Sequence, residues 1–263
     1  MIEDFGTSSL VPAHGRLTLA GAAATLRARL DSRVRSMALA DGATDCHFPS
    51  SIVHDTLERA GYFASFPDGA TPIGAAPRRD FFLTPAVCFH AYALFADQML
   101  PQPLTLTASQ TCFREADRHA PESEVGRLWE FTMREIIFVG PAPWVGERLQ
   151  QWAGRTVALA GELGLAASLE PATDAFYGDL SRGQRLIQQI KRLKHELRMS
   201  VGGQPVAAAS FNAHETFFGK RFDIHLADGS IAHSACAAFG LERWTLALLA
   251  QRGAQAAMQI LKD

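Results

Sequence analysis

The sequence predicts an α+β domain in which an antiparallel sheet is flanked by helices, and three observations point to it. Short apolar or alternating runs over 104–113, 136–139 and three segments past Gly202-Gly203 carry the signature of strands. Longer stretches between and around them either repeat apolar residues at three- and four-residue steps or have helix-forming composition. Turn-forming residues separate the two kinds of segment, with Asp228-Gly229 placed as a hairpin turn.

Taken in order, Leu19 to Ala40 is rich in Ala, Leu and Arg, lacks Pro and has Gly21 only near its start. It predicts a helix that stops at Asp41-Gly42. A short segment, Ala43 to Phe48, runs into Pro49, and a second helix is expected over Ser50 to Ala60. The tract PDGATPIGAAPRR (67–79) reads as a loop, FFLTP (81–85) as a strand, and AVCFHAYALFADQML (86–100) as a helix. Leu104 to Phe113 begins a long hairpin that Ile136 to Val139 closes.

Trp144, Val145, Leu149, Trp152, Leu159 and Leu163 mark an amphipathic helix. A further helix is expected over Asp179 to Met199, with the seam Leu186, Ile190, Leu193 and Leu197. Arg182, Arg185, Lys191, Arg192, Lys194 and Arg198 make it strongly basic. The segments 206–212, 221–226 and 231–235 read as strands, and a terminal helix starts near Leu241. With no repeat or interdomain linker, 1–263 is expected to be a single domain.

Composition narrows the function. The 263 residues, 48% of them hydrophobic, suffice for one good-sized core. With 25 basic against 27 acidic residues, no global field draws nucleic acid, so any polyanion site is local. MIEDFGTSSLVPAHGR lacks the regions of a secretory signal, and no run of about 18 apolar residues could cross a bilayer. A soluble cytoplasmic protein is expected. Cys46, Cys88, Cys112 and Cys236 are too few and scattered for a disulfide framework, which leaves them as packing residues or metal ligands.

Two arginines attract attention first. Arg114, in the strand-like CFR, is costly to bury without an anion, and Arg243 occupies the first turn of a helix whose N-terminus itself favours anions. Together they suit a triphosphate. Local pairing, of Arg114 with Glu115 and of Arg243 with Glu242, is the alternative.

The segments around them, CFREADRHAPESEVGRLWEFTMREIIFVG (112–140) and CAAFGLERW (236–244), resemble motifs 2 and 3 of class II aminoacyl-tRNA synthetases. The helix, strand and proline order of the first 60 residues resembles motif 1, the dimer-forming element, and implies a homodimer. The resemblance implies that Arg114 binds the α-phosphate of ATP and stabilises the charge that develops there. Arg127 and Arg243 then hold the outer phosphates and Phe131 stacks on adenine, with Leu128 beside them. The family has a glutamate two residues after the first arginine; here that position is Ala116, and a one-residue deletion would make Glu115 the equivalent.

Within the class, the sequence resembles the atypical seryl-tRNA synthetases of methanogens and the short amino acid:[carrier protein] ligases related to them. Those enzymes bind catalytic zinc through Cys, Glu and Cys, and the matching residues are Cys88, Glu135 and Cys236. Two thiolates and a carboxylate leave a fourth position open, where the α-amino group of the substrate would bind. Cys46 and Cys112 are left as buried thiols. ASFNAHETFFGKRFDI (209–224) also resembles the ligases, and Asn212 and His214 within it would bind substrate or hydrogen-bond in the core.

FYGDLSRGQRLIQQIKRLKHEL (176–197) resembles the ligases' extra helix. Arg182, Arg185 and Arg192 would dock an acidic carrier protein along one flank of it, and Lys194 would face the site. Magnesium is expected with ATP, but the glutamate that holds it in ordinary seryl enzymes falls near Ala207, so its ligands stay unassigned. Seryl enzymes also grip tRNA with an N-terminal extension far longer than the residues before Leu19.

The expectation is therefore a catalytic core that activates a small amino acid, of glycine or alanine type, as an aminoacyl-adenylate. It would pass the acyl group to the phosphopantetheine thiol of a carrier protein. A stripped tRNA-charging enzyme and a non-catalytic paralogue serving as a binding subunit are the alternatives.

Overall fold

The computed structural model describes residues 10–13, 15–74, 80–118, 126–172 and 193–262. The long hairpin is present: β8 (Leu104–Phe113) and β9 (Glu130–Gly140) pair antiparallel, from Leu104 opposite Val139 to Phe113 opposite Glu130. Beyond β9 follow β14 (His233–Gly240), β12 (Gln204–Glu215), β11 (Lys194–Val201) and the edge strand β10 (Ala167–Pro171), all antiparallel. At the other edge β3 (Thr44–Asp45) adds a short parallel pairing to β8, which completes seven strands.

Side chains alternate across this sheet and separate two cores. On β14, Ala235, Ala237 and Phe239 face one side, while Cys236 and Ala238 face the other. The first side is covered by α1 (Gly21–Ala40), α5 (Ala142–Glu162) and α7 (Leu241–Ile260), through Leu26, Leu30, Trp152 and Trp244. Asp41, at the end of α1, ties it to α5: it accepts a hydrogen bond from Trp152 Nε1 at 2.8 Å and pairs with Arg148 and Arg155. Buried Arg134 ties α1 to β9 through Asp31 at 2.5 Å.

The second side carries the cleft. It is walled by α4 (Cys88–Leu94), α6 (Phe217–Phe222) and a small sheet of β4 (Ser51–Val53), β6 (Phe81–Leu83) and β5 (Pro72–Ile73). The helices α2 (His54–Arg59) and α3 (Tyr62–Ser65) close that end. Two further short pairings complete the described elements: β1 (Leu10–Ala13) with β2 (Arg16–Leu19), and β7 (Met99–Leu100) with β13 (His225–Leu226).

Four expectations are corrected. The helix over 50–60 begins as β4, because Ser51–Val53 pairs with Leu83–Phe81 before α2 starts. The helix over 86–100 is the shorter α4, after which Met99–Leu100 pairs with β13. The strand over 221–226 is the last turn of α6 followed by the two residues of β13. The basic helix over 179–199 is overturned at its C-terminal end, since 194–201 is strand β11, and residues 173–192 lie outside the described residues. Leu193 and Leu197 share helical spacing, but Leu197, Met199 and Val201 are buried at strand spacing, with β10 and β12 pairing the backbone on both flanks.

Candidate active site

Two rows of cross-strand neighbours build the cleft floor. In one, Lys194, Asn212, Cys236 and Ile137 stand side by side on β11, β12, β14 and β9. In the next, Glu196, Ser210, Ala238 and Glu135 do the same. Strand register alone therefore brings Cys236 and Glu135 onto one face of the neighbouring strands β14 and β9, which are far apart in sequence. Cys88, in the first turn of α4, arrives from above.

The thiols of Cys88 and Cys236 and a carboxylate oxygen of Glu135 all lie within 4.8 Å of one another, and all three residues are buried. The backbone N–H groups of Val87 and Cys88 donate to the Glu135 carboxylate, yet its Oε2 has no partner. Burial pushes the Glu135 carboxyl up to about 7, and hydrogen bonding to Cys236 together with burial pushes the Cys88 thiol up. A buried acid with an orphaned oxygen beside two thiols is a poor packing solution but a good tetrahedral donor set for a soft divalent cation. The three residues that the sequence assigned to zinc are thus brought together, while Cys112, buried, and Cys46, half-buried, lie outside the cluster.

The cluster opens into a cavity of about 330 Å3 walled by Tyr62, Phe66, Phe89, Met133, Phe218 and Asn212. A second cavity of about 580 Å3 adjoins it, and Phe131, Leu128, Arg127, Arg198, Glu242 and Arg243 are among its walls. Arg114, Asp117, Lys194 and Ser210 line both.

Arg114 follows the last residue of β8, anchored by its own N–H donating to Trp129 O at 2.8 Å. Its guanidinium lies 5.0 Å from the centre of the Phe131 ring, and among the described residues it forms no ion pair. The alternative of local pairing, Arg114 with Glu115 and Arg243 with Glu242, is not what the structure shows. Glu115 turns away, accepting hydrogen bonds from Trp129 Nε1 and Thr71 and pairing with Arg118 at 2.7 Å. These contacts hold its carboxyl below the usual range, against the opposing effect of burial. Glu242 accepts the backbone N–H of Thr132 at 2.8 Å, while Arg243 donates to Gly126 O at 2.7 Å and Ala207 O at 2.8 Å. Gly126 is required there: its φ of +77° disfavours other residues, and a Cβ would come 3.1 Å from Arg243 Cγ. Arg127 pairs with Asp117 at 2.7 Å across the mouth.

The structure thus gathers Arg114, Arg127, Leu128, Phe131 and Arg243 around one cavity and leaves Glu115 outside its lining. Lys194 is on a strand rather than a helix and pairs with Glu196 at 3.2 Å inside the cleft. Arg182, Arg185 and Arg192 lie outside the described residues. Asp117 and Ser210 went unnoticed in the sequence. Asp117, three residues after Arg114, was visible as a second acid in READ, whereas Ser210 depends on the register of β12 against β11 and β14.

Comparison with known proteins reads this geometry. No family model matches the chain. The amino acid–[acyl-carrier-protein] ligase 1 of Bradyrhizobium diazoefficiens is 30% identical over 240 residues, covering 81% of this chain and 72% of that protein. This chain belongs to the family of amino acid–[acyl-carrier-protein] ligases. Ligase 2 of the same organism is 31% identical, with 80% and 70% covered. The type-2 serine–tRNA ligase of Methanothermobacter thermautotrophicus is 26% identical, with 81% of this chain and 48% of that one covered.

Among solved structures, M. kandleri seryl-tRNA synthetase, crystallised with A. aeolicus tRNASec, superposes with a TM-score of 0.80 at 19% identity. The seryl-tRNA synthetase of Pyrococcus horikoshii complexed with ATP gives 0.75 at 14%. Each match covers 94% of this ligase, which spans 55% and 57% of the length of those two structures. The fold is therefore that of a class II synthetase catalytic domain. No helix among the described residues is long and apolar enough to cross a membrane.

Proposed function

We propose that this chain uses ATP to convert an amino acid to its aminoacyl-adenylate and passes the acyl group to the phosphopantetheine thiol of a carrier protein. The observation that carries the reading is the position of Arg114, shared by a cavity with a metal-competent donor set and a cavity lined by Arg127, Arg243 and Phe131. An amino acid and a nucleotide placed one in each would meet at its guanidinium.

In the first step a carboxylate oxygen of the amino acid attacks the α-phosphorus, a phosphorus–oxygen bond forms, and the bond to the pyrophosphate oxygen breaks. Arg114 neutralises charge gathering on the α-phosphate oxygens, as phosphoryl transfer requires. Arg127 and Arg243 hold the departing phosphates, Arg127 exchanging its contact with Asp117 for the nucleotide. In the second step the pantetheine sulfur attacks the acyl carbon, a thioester forms, and AMP leaves. Cys88, Glu135 and Cys236 would hold zinc, which would supply a Lewis acid for the amino group of the substrate. Magnesium would arrive with ATP. Asp117, Glu196 and Glu242, the acids lining the nucleotide cavity, are already engaged by Arg127, by Lys194 and Arg198, and by the Thr132 N–H.

The aromatic walls of the smaller cavity favour a short side chain, of glycine or alanine type. One methyl group separates those two, and pocket discrimination of about 1–3 kcal/mol would decide between them. Carrier docking belongs to Arg182, Arg185 and Arg192, with Lys194 at the cleft. A near-balanced charge, 25 basic against 27 acidic residues, favours a carrier protein over tRNA. We also propose a homodimer through α1 and the β3 edge, and a cytoplasmic setting that keeps the paired thiols reduced.

The test is amino-acid-dependent exchange of pyrophosphate into ATP across a panel of substrates, followed by transfer to a phosphopantetheinylated carrier protein. Exchange with a small amino acid and a labelled thioester on the carrier are expected. Zinc-loaded protein that exchanges with no amino acid would sink the adenylation reading; exchange followed by charging of tRNA alone would sink the acceptor.

A further inference from the structure

We infer that Asn212 and His214 are positioning residues for the Cys236 thiolate: their N–H groups converge on its sulfur and set its orientation in the metal-binding triangle. The inference rests on the zinc reading above.

Asn212 is the direct cross-strand partner of Cys236, and its Nδ2 donates to the sulfur at 3.4 Å. The same amide donates to Ser210 Oγ at 3.2 Å, which holds the side chain in place. Two residues on, His214 Nε2 lies 3.8 Å from the same sulfur. Its other nitrogen, Nδ1, is approached by the hydroxyls of Tyr92 at 3.0 Å and Ser234 at 3.3 Å. A hydroxyl donating into Nδ1 leaves the ring proton on Nε2, the nitrogen aimed at Cys236. Phe218, with its ring 4.9 Å from the imidazole, and Tyr92 fix the ring plane.

The backbone is shaped to the same end. The register of β12 on β14 slips between Ala213 and Glu215, so His214 is the extra residue of a bulge. Glu215, beside it, takes a φ of +51°, a left-handed conformation unfavourable to a side-chain-bearing residue. Bulges re-aim side chains, and here the re-aimed one is buried against a thiol. Both features sit within three residues of Asn212.

N–H groups directed at a thiolate lower the energy of its lone pairs and reduce the charge it donates to a metal. Cys236 would therefore be held as a fixed ligand, and the cation would stay acidic enough to bind an amine at its open position.

The experiment measures zinc affinity by competition with a chromophoric chelator, together with the spectrum of the cobalt-substituted protein. Asn212→Ala should weaken zinc about 10- to 100-fold, and the sulfur-to-cobalt charge-transfer band should move to lower energy. His214→Phe should do the same, and His214→Gln, which keeps an N–H near the place of Nε2, should restore most of the affinity. Should His214→Phe not fold, Asn212→Ala alone decides. Variants with wild-type zinc affinity and an unmoved cobalt band overturn the inference and leave the adenylation reading standing. Wild-type protein that binds no zinc but exchanges pyrophosphate overturns both the inference and the zinc assignment.

Discussion

Arg114 and Arg243 are both held by backbone and not by acids, which leaves their charge available to a ligand. Arg114 is fixed by a strand end and an aromatic face, Arg243 by the carbonyls of Gly126 and Ala207. Had they paired with Glu115 and Glu242, an arriving phosphate would have to break an ion pair at each. Arg127 is the contrasting case, paired with Asp117 at 2.7 Å. Truncating Arg114 tests the distinction: Arg114→Ala should lower kcat for pyrophosphate exchange by about 100- to 1000-fold, as expected for loss of one charge-stabilising donor. Because the side chain is exposed, the variant should keep the wild-type circular dichroism spectrum. A kcat within a few-fold of wild type would remove Arg114 from the α-phosphate. Arg114 and Arg243 were legible in the sequence as cations in a strand-like apolar setting and at a helix start, whereas Cys88, Glu135 and Cys236 were singled out only through the resemblance to the ligases and the atypical seryl-tRNA synthetases. Ser210 was not, since a serine in a strand signals nothing until its neighbours across the sheet are known.

At the level of elements, the motif-2 hairpin is secured to the loop before β5 by Glu115. Its carboxylate joins Thr71, Trp129 and Arg118, three groups from both sides of the junction. A carboxyl held below its usual 4.5 contributes stability above the unfolded-state value and loses it as pH falls through the folded-state value. Glu115→Gln should therefore unfold at lower denaturant than wild type at neutral pH, and the gap should shrink as pH drops below 4.5. An unchanged gap across that range would show that the carboxylate charge has no part in the latch. The elements themselves were legible where one pattern dominates, as in α5 and in the β8–β9 hairpin. They were not where two patterns coexist: the helically spaced apolar series Leu186, Ile190, Leu193, Leu197 runs into β11, and Ser51–Val53 becomes a strand only because β6 lies beside it. Short strands such as β4 and β13 take their conformation from a partner distant in sequence, and no local window contains that partner.

For the molecule as a whole, the metal-competent triangle joins α4, β9 and β14 across the second core, so a bound cation would act as a crosslink between helix and sheet. Binding to the folded state alone stabilises it in proportion to the logarithm of ligand concentration, about 2.7 kcal/mol at a hundredfold excess over Kd. Adding zinc to chelator-treated protein should raise Tm, and Cys236→Ser should abolish most of that rise. Identical melting with and without zinc, in both proteins, would count against the triangle as a metal site. What the amino-acid order determined unaided was the inventory: an α+β domain with an antiparallel sheet and two arginines in settings that suit an anion, to which the family resemblance added a Cys, Glu, Cys set. What only the tertiary structure decided was the arrangement: which acids leave the arginines unpaired, that Lys194 lies on a strand inside the cleft, and that Asn212 and His214 point at a sulfur. The physical reason is register. A shift of one residue between β12 and β14 would turn Asn212 to the opposite face from Cys236, and that choice is made by packing across the whole sheet.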